Sequence, residues 1–174
     1  QALDDDGYGD SYTVGNAIYY AADQGVDIIS ISLGTDFEDP YLREAVLYAQ
    51  SKNILIVAAA GNDGCDCMVY PANYPEVVAV GASDPSGAVA SFSSFGANLD
   101  IIAPGEDMTS SYWSKNNQTS SYAGGIAGTS FSAPYVSGVL GLLRSHQPDA
   151  SWDEITGVLF ENSDRKTLTG GSPR

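Results

Sequence analysis

Residues 124–138 run Gly-Gly-Ile-Ala-Gly-Thr-Ser-Phe-Ser-Ala-Pro-Tyr-Val-Ser-Gly. The Gly128-Thr129-Ser130 turn leads into a run of small and apolar residues. This pattern predicts a buried helix from Thr129 to about His146. Ser130 then sits in the first turn, where backbone N–H groups have no intrahelical partner and the helix end favours negative charge. A serine in that place can serve as a nucleophile with an anion site beside it. Taken alone, the same three residues also fit an ordinary helix start with local hydrogen bonding.

Working outward, buried strands are expected at Val26–Leu33, Ile54–Ala60, Val77–Ala82 and Leu99–Ala103. The first is read as buried on both faces. A helix capped by Ser11 carries Ala17, Ile18, Ala21 and Ala22 and stops near Gly25. A second starts at Asp39-Pro40 and repeats Leu42, Ala45, Val46 and Ala49. Asp4–Gly9 is a turn, and 108–123 suggest a hairpin around Lys115-Asn116-Asn117. Ser151 and Glu154 form a capping box for a last helix to about Asn162. Thr167–Arg174 are polar and glycine-rich, and are expected to be a loose tail. Strands alternating with helices predict an α/β sandwich of three layers with a mostly parallel central sheet.

With 174 residues the chain is one domain's worth, and 22 acidic against 7 basic side chains give a net charge of −15. That sign disfavours nucleic acid and anionic membranes as partners and serves solubility. No apolar run is long enough to span a membrane. Two cysteines, Cys65 and Cys67, do not make a disulfide scaffold. They either bridge one another in a small ring or remain free thiols.

In parallel sheets, sites gather at the carboxyl ends of strands. Three loops there carry the chemistry: Ser32-Leu33-Gly34, Ala60-Gly61-Asn62 and Gly128-Thr129-Ser130. Acyl transfer needs a nucleophile, a base and donors for the oxyanion. Ser130 suits the first role, and its own N–H suits one donor. The Asn62 side-chain amide suits the other, although an Asn after glycine is also a common turn residue.

Several blocks resemble those of the subtilisin-like serine peptidases, in that family's order. They are Ile29–Gly34, Val57–Asn62, Tyr74–Ala82, Ala90–Gly96, Leu99–Gly105 and Gly128–Gly138, and the similarity extends over nearly the whole chain. The resemblance implies a subtilisin-like fold and hydrolysis of peptide bonds in a peptide or protein substrate. It implies Ser130 as nucleophile and Asn62 in the oxyanion hole. Ser32, Leu33 and Gly34 would pair with substrate backbone as an added strand. Ala59, Ala60 and Gly61 would wall the pocket for the side chain before the cleaved bond, with tolerance for apolar or aromatic residues. Phe131, Ser132 and Tyr135 depart from the family's usual Met, Ala and His, but they flank the serine without entering the proton chemistry. A secreted or extracytoplasmic setting is implied as well.

The family also uses an Asp and a His, both preceding the blocks found here. His146 is the single histidine. It lies 16 positions after Ser130, which on one helix is about 24 Å away, whereas a base must come within about 3 Å. The expectation is therefore a partial peptidase domain over 1–174. It would be inactive alone, and the N-terminal part of the same enzyme would supply Asp and His as a second fragment or chain. Catalysis needs no cofactor. By resemblance, the carbonyls of Pro75 and Val77 with Asp100 would hold a structural calcium, an oxygen-only set suited to a hard cation. Two other functions stay open: a non-catalytic peptide-binding module, and a transpeptidase or macrocyclase in which an amine resolves the acyl-enzyme.

Overall fold

The computed structural model describes residues 2–114 and 119–164. Helix α1 (Ser11–Asp23) precedes strand β1 (Ile28–Ile31), helix α2 (Pro40–Ser51) and strands β2 (Leu55–Ala59), β3 (Val78–Ser83) and β4 (Ile101–Pro104). The hairpin strands β5 (Met108–Ser114) and β6 (Thr119–Ile126) follow, then helices α3 (Thr129–His146) and α4 (Trp152–Glu161). Strands β1 to β4 form one parallel sheet in sequence order, and β5 and β6 pair antiparallel apart from it. The turn expected at Lys115–Asn117 and the tail at Thr167–Arg174 lie outside the described residues.

The alternation of side chains along β2 divides the core into two layers. Ile56 and Ala58 pack with Val14 and Ile18 of α1 and with Leu42 and Val46 of α2. Val57 and Ala59 pack on the opposite face with Val136 and Leu140 of α3 and with Trp152 and Ile155 of α4. The result is the expected three-layer α/β sandwich.

Three local expectations need correction. The first strand is Ile28–Ile31, shorter than Val26–Leu33, and Ser30 is exposed, so it is not buried on both faces. Its apolar run suggested a central strand, but among the described residues β1 pairs only with β2 and stands at the edge. The cap of α1 is Asp10, whose carboxylate accepts from Thr13 N–H; the Ser11 hydroxyl instead donates to Asp39 at 2.7 Å. Strand β4 starts at Ile101, because Leu99 N–H is used in a turn to Gly96 and the Asp100 carboxylate turns toward β3. Asp39 caps α2 and Ser151 with Glu154 closes the capping box of α4, both as predicted.

The link from β2 to β3 contains no helix. It crosses residues 60–77 as an irregular loop, and this loop carries Ala60, Gly61 and Asn62 of the candidate site.

Candidate active site

Two parallel strands, β1 and β2, end side by side, and α3 begins in front of them. This brings Ser32–Gly34, Ala60–Asn62 and Thr129–Ser130 together from positions far apart in sequence. Contacts between them are direct. The Ser130 hydroxyl donates to the Ser32 carbonyl at 3.2 Å, and the Ser32 hydroxyl donates to the Ser130 carbonyl at 2.8 Å. Ser130 is half-buried, with Thr129 beneath it fully buried.

Thr129 ties the other wall to the helix. Its backbone N–H donates to Asn62 Oδ1 at 2.8 Å, and its hydroxyl lies 3.0 Å from the same oxygen. The same hydroxyl accepts from Gly61 N–H at 3.2 Å. With Oδ1 engaged on the helix start, Asn62 Nδ2 is the end of the amide left to donate outward. Asn62 itself is exposed to the cleft. At Gly128 the chain turns with φ +152°, a conformation that favours glycine, and a Cβ there would sit 3.7 Å from Asn62 Nδ2. The support from Thr129 went unrecognised in the sequence, where it read only as part of the turn.

The pocket walls are apolar and tightly packed. Ala59, Ala60 and Gly61 are buried. Ser94, also fully buried, donates its N–H to the Gly61 carbonyl at 3.0 Å and accepts from Asp63 N–H at 3.1 Å. Cys65 and Cys67 form a disulfide, which decides between the two states left open by the sequence. Cys67 Sγ lies 3.7 Å from the Ser94 hydroxyl, and Phe95 N–H donates to the Cys65 carbonyl at 2.9 Å. The disulfide loop is thus fastened to the segment that backs Gly61. On the far side of Leu33 and Gly34 opens a second cavity of about 190 Å³, with Leu3, Val14, Leu42 and Tyr70 in its lining.

His146 is the last residue of α3, a continuous helix from Thr129. It is therefore far from Ser130, as the spacing required. Ser132 points into the core and donates to the Ala103 carbonyl at 2.9 Å, while Tyr135 is exposed.

Asp100 packs against the backbone just after Val77, with Oδ2 accepting from Ala79 N–H at 2.8 Å. Burial pushes its carboxyl above the usual range, and the Ala79 bond opposes that shift in part. One carboxylate beside carbonyl-bearing loop residues is a donor set of the hard-cation kind. Among the described residues no three His, Cys, Asp or Glu side chains cluster as metal ligands, so carbonyls would have to supply most of any such site. No helix among them is long and apolar enough to cross a membrane.

Comparison with known proteins agrees with this geometry. Residues 1–173 match the Subtilase family, Peptidase_S8. Thermitase of Thermoactinomyces vulgaris is 41% identical over 170 residues, covering 98% of this chain and 58% of thermitase. The structure of sphericase superimposes with a TM-score of 0.82 at 32% identity, over 93% of this chain and 58% of that one. The patellamide maturation protease PatA superimposes with a TM-score of 0.73 at 39% identity, over 83% of this chain and 53% of that one. The chain therefore spans little more than half the length of these relatives. The match runs through every segment that builds the cleft, from Ser32–Gly34 to Thr129–Ser130, and on that ground the chain belongs to the subtilase family.

Proposed function

We propose that this chain is the nucleophile-bearing part of a serine endopeptidase that cleaves peptide bonds through an acyl-enzyme on Ser130. The observation that carries this is the Thr129 clamp on Asn62 Oδ1, which fixes an amide donor beside the serine. The peptide lies along Ser32–Gly34 as an added strand, with one side chain between the walls and an apolar one reaching the cavity beyond Leu33. Ser130 Oγ leaves its bond to the Ser32 carbonyl, gives its proton to a base and attacks the scissile carbonyl. The oxygen that becomes negative receives hydrogen bonds from Asn62 Nδ2 and Ser130 N–H. The base returns the proton to the leaving amine, and water then releases the acyl group.

The base and its orienting carboxylate come from a segment outside this chain. Support comes from His146, the single histidine, standing at the far end of α3. Among the described residues no strand pairs with the outer edge of β1, which leaves that edge for a further strand, and Tyr135, Val139 and Leu142 of α3 are exposed. Pro75, Val77 and Asp100 would hold a calcium whose role is structural, joining the β2–β3 loop to the start of β4. An extracytoplasmic setting is supported by the Cys65–Cys67 disulfide, although one relative is named as an intracellular protease.

A second function, peptide binding without catalysis, is favoured by one observation: the Ser130 hydroxyl is engaged by a backbone carbonyl and not by a base. One experiment separates the two. The full-length protein is treated with a fluorophosphonate, and intact mass and peptide hydrolysis are measured for the wild type and Ser130→Ala. Labelling and hydrolysis that are both lost in Ser130→Ala support the peptidase. Peptide binding with neither labelling nor hydrolysis would establish the binding module.

A further inference from the structure

The cleft between Ser32–Gly34 and Ala59–Gly61 has a floor. Residues 69 and 70 pass beneath it, bonded to both walls. On one side Val69 N–H donates to the Ala60 carbonyl at 3.0 Å. On the other, Tyr70 and Thr35 exchange both backbone bonds, at 2.8 and 2.9 Å. The floor therefore cannot sink or swing without breaking hydrogen bonds to segments that themselves define the cleft.

The Val69 side chain rises from this floor and meets both walls. A Cβ placed on Gly34 would collide with Val69 Cγ2 and lie 2.9 Å from Val69 Cβ. A Cβ placed on Gly61 would lie 3.2 Å from Val69 Cγ1. One methyl is thus set against each wall, at the two points where glycine leaves room for it. Being β-branched, the side chain has little freedom to turn aside, and with both methyls engaged no rotamer change clears the width of the cleft. Val69 is half-buried, so part of its side chain stays accessible between the two glycine walls.

We infer that Val69 fixes the depth of the pocket for the side chain preceding the cleaved bond and restricts it to small residues: glycine, alanine and serine. An aromatic ring entering between the walls would need the volume the two methyls occupy. This narrows the apolar-or-aromatic preference expected from the alanine-rich wall, and it rests on the peptidase function proposed above. Val69 changes no proton transfer. Its effect falls on which peptide bonds are presented to Ser130.

The test uses the full-length protein as wild type, V69G and V69A. Two peptides differ only in alanine or phenylalanine before the scissile bond, and kcat/KM is measured for each, alongside fluorophosphonate labelling of Ser130. The wild type is expected to favour alanine by at least about tenfold, since pocket fit at the level of a few carbons discriminates on that scale. V69G is expected to shift the ratio toward phenylalanine by a further factor of at least about ten, with V69A in between. A labelled wild type that cleaves both peptides equally overturns the inference alone. So does a labelled V69G or V69A with the wild-type ratio. If V69G takes no label because it fails to fold, the V69A ratio decides. A wild type that neither labels nor hydrolyses overturns the peptidase function, and the inference with it.

Discussion

Ser32 completes a hydrogen bond that Pro134 makes impossible. In a regular helix the carbonyl of Ser130 would accept from the N–H four residues on, but that position is Pro134, which has none. The Ser32 hydroxyl donates to this carbonyl from the end of β1 instead. Proline inside α3 therefore costs less than usual, and the turn bearing Ser130 is fastened to the end of β1. Ser32→Ala removes the donor. Expected outcomes are a stability loss of about 0.5–1.5 kcal/mol and a fall in kcat/KM, checked by urea denaturation and peptide hydrolysis of the full-length protein.

Asn62→Ala should lower kcat by about 10²–10³-fold, the range characteristic of losing one oxyanion donor, with little change in KM. Thr129→Val should lower kcat less, because the backbone N–H still holds Asn62 Oδ1 while Gly61 N–H loses its acceptor. Steady-state kinetics on the two variants would check the order of effects. A kcat unchanged by Asn62→Ala would remove this residue from the oxyanion site.

These site residues differ in how far the sequence revealed them. Helix α3 and strand β2 were legible because long periodic or continuous apolar runs are the strongest local signals. Ser130 and Asn62 stood out in the Gly128-Thr129-Ser130 and Gly61-Asn62 turns beside buried elements, but alone these turns also fit ordinary structural roles, and the catalytic roles came from the family resemblance. The edge position of β1 was not, since Ile-Ile-Ser-Ile says nothing of what pairs beside it. Asp10 and Ser11 are both good caps, and only the pull of Asp39 on the Ser11 hydroxyl decides between them. Val69 left no local trace at all. Its place depends on Gly34, Thr35, Ala60 and Gly61, which are distant in sequence; glycines at 34 and 61 were the one hint of a close approach.

Trp152 anchors α4 to the rest of the fold. Its ring is buried, its Nε1–H donates to the Asn53 carbonyl at 2.8 Å, and the Arg144 guanidinium stacks 3.9 Å above it. Trp152→Ala should cost about 3–5 kcal/mol. Trp152→Phe should cost less, keeping a ring beneath Arg144 but leaving the Asn53 carbonyl without its donor. Denaturant titrations of both variants would check this ordering.

Removing the Cys65–Cys67 bond as the double serine variant should have a small effect on stability, under about 2 kcal/mol, because the closed loop is very short. Its larger consequence falls on the wall, through Ser94 and Gly61, and should appear as a raised KM. Thermal melting and steady-state kinetics together would separate the two.

Asp100 gives a pH dependence of definite sign. Its carboxyl is raised above 3.8 by burial, so the folded state holds the proton more tightly than the unfolded state. That contribution to stability is fully present below 3.8 and is lost as pH rises through the raised value. Asp100→Asn should remove this loss, so that its stability advantage over wild type grows with pH across that window in the absence of calcium. Urea midpoints measured from about pH 4 to pH 7 would check the slope. Added calcium should restore the wild type selectively if Asp100 is a ligand.

The floor under the cleft is held through main-chain atoms: Ala60 accepts from Val69, and Thr35 pairs with Tyr70. Nothing in that fastening depends on which side chain stands at position 69. The residue that sorts substrates can therefore be exchanged while Ser130, Thr129 and Asn62 keep their supports. Under the peptidase function proposed above, a single codon change at position 69 would alter which peptide bonds are cut and leave the bond-breaking residues in place.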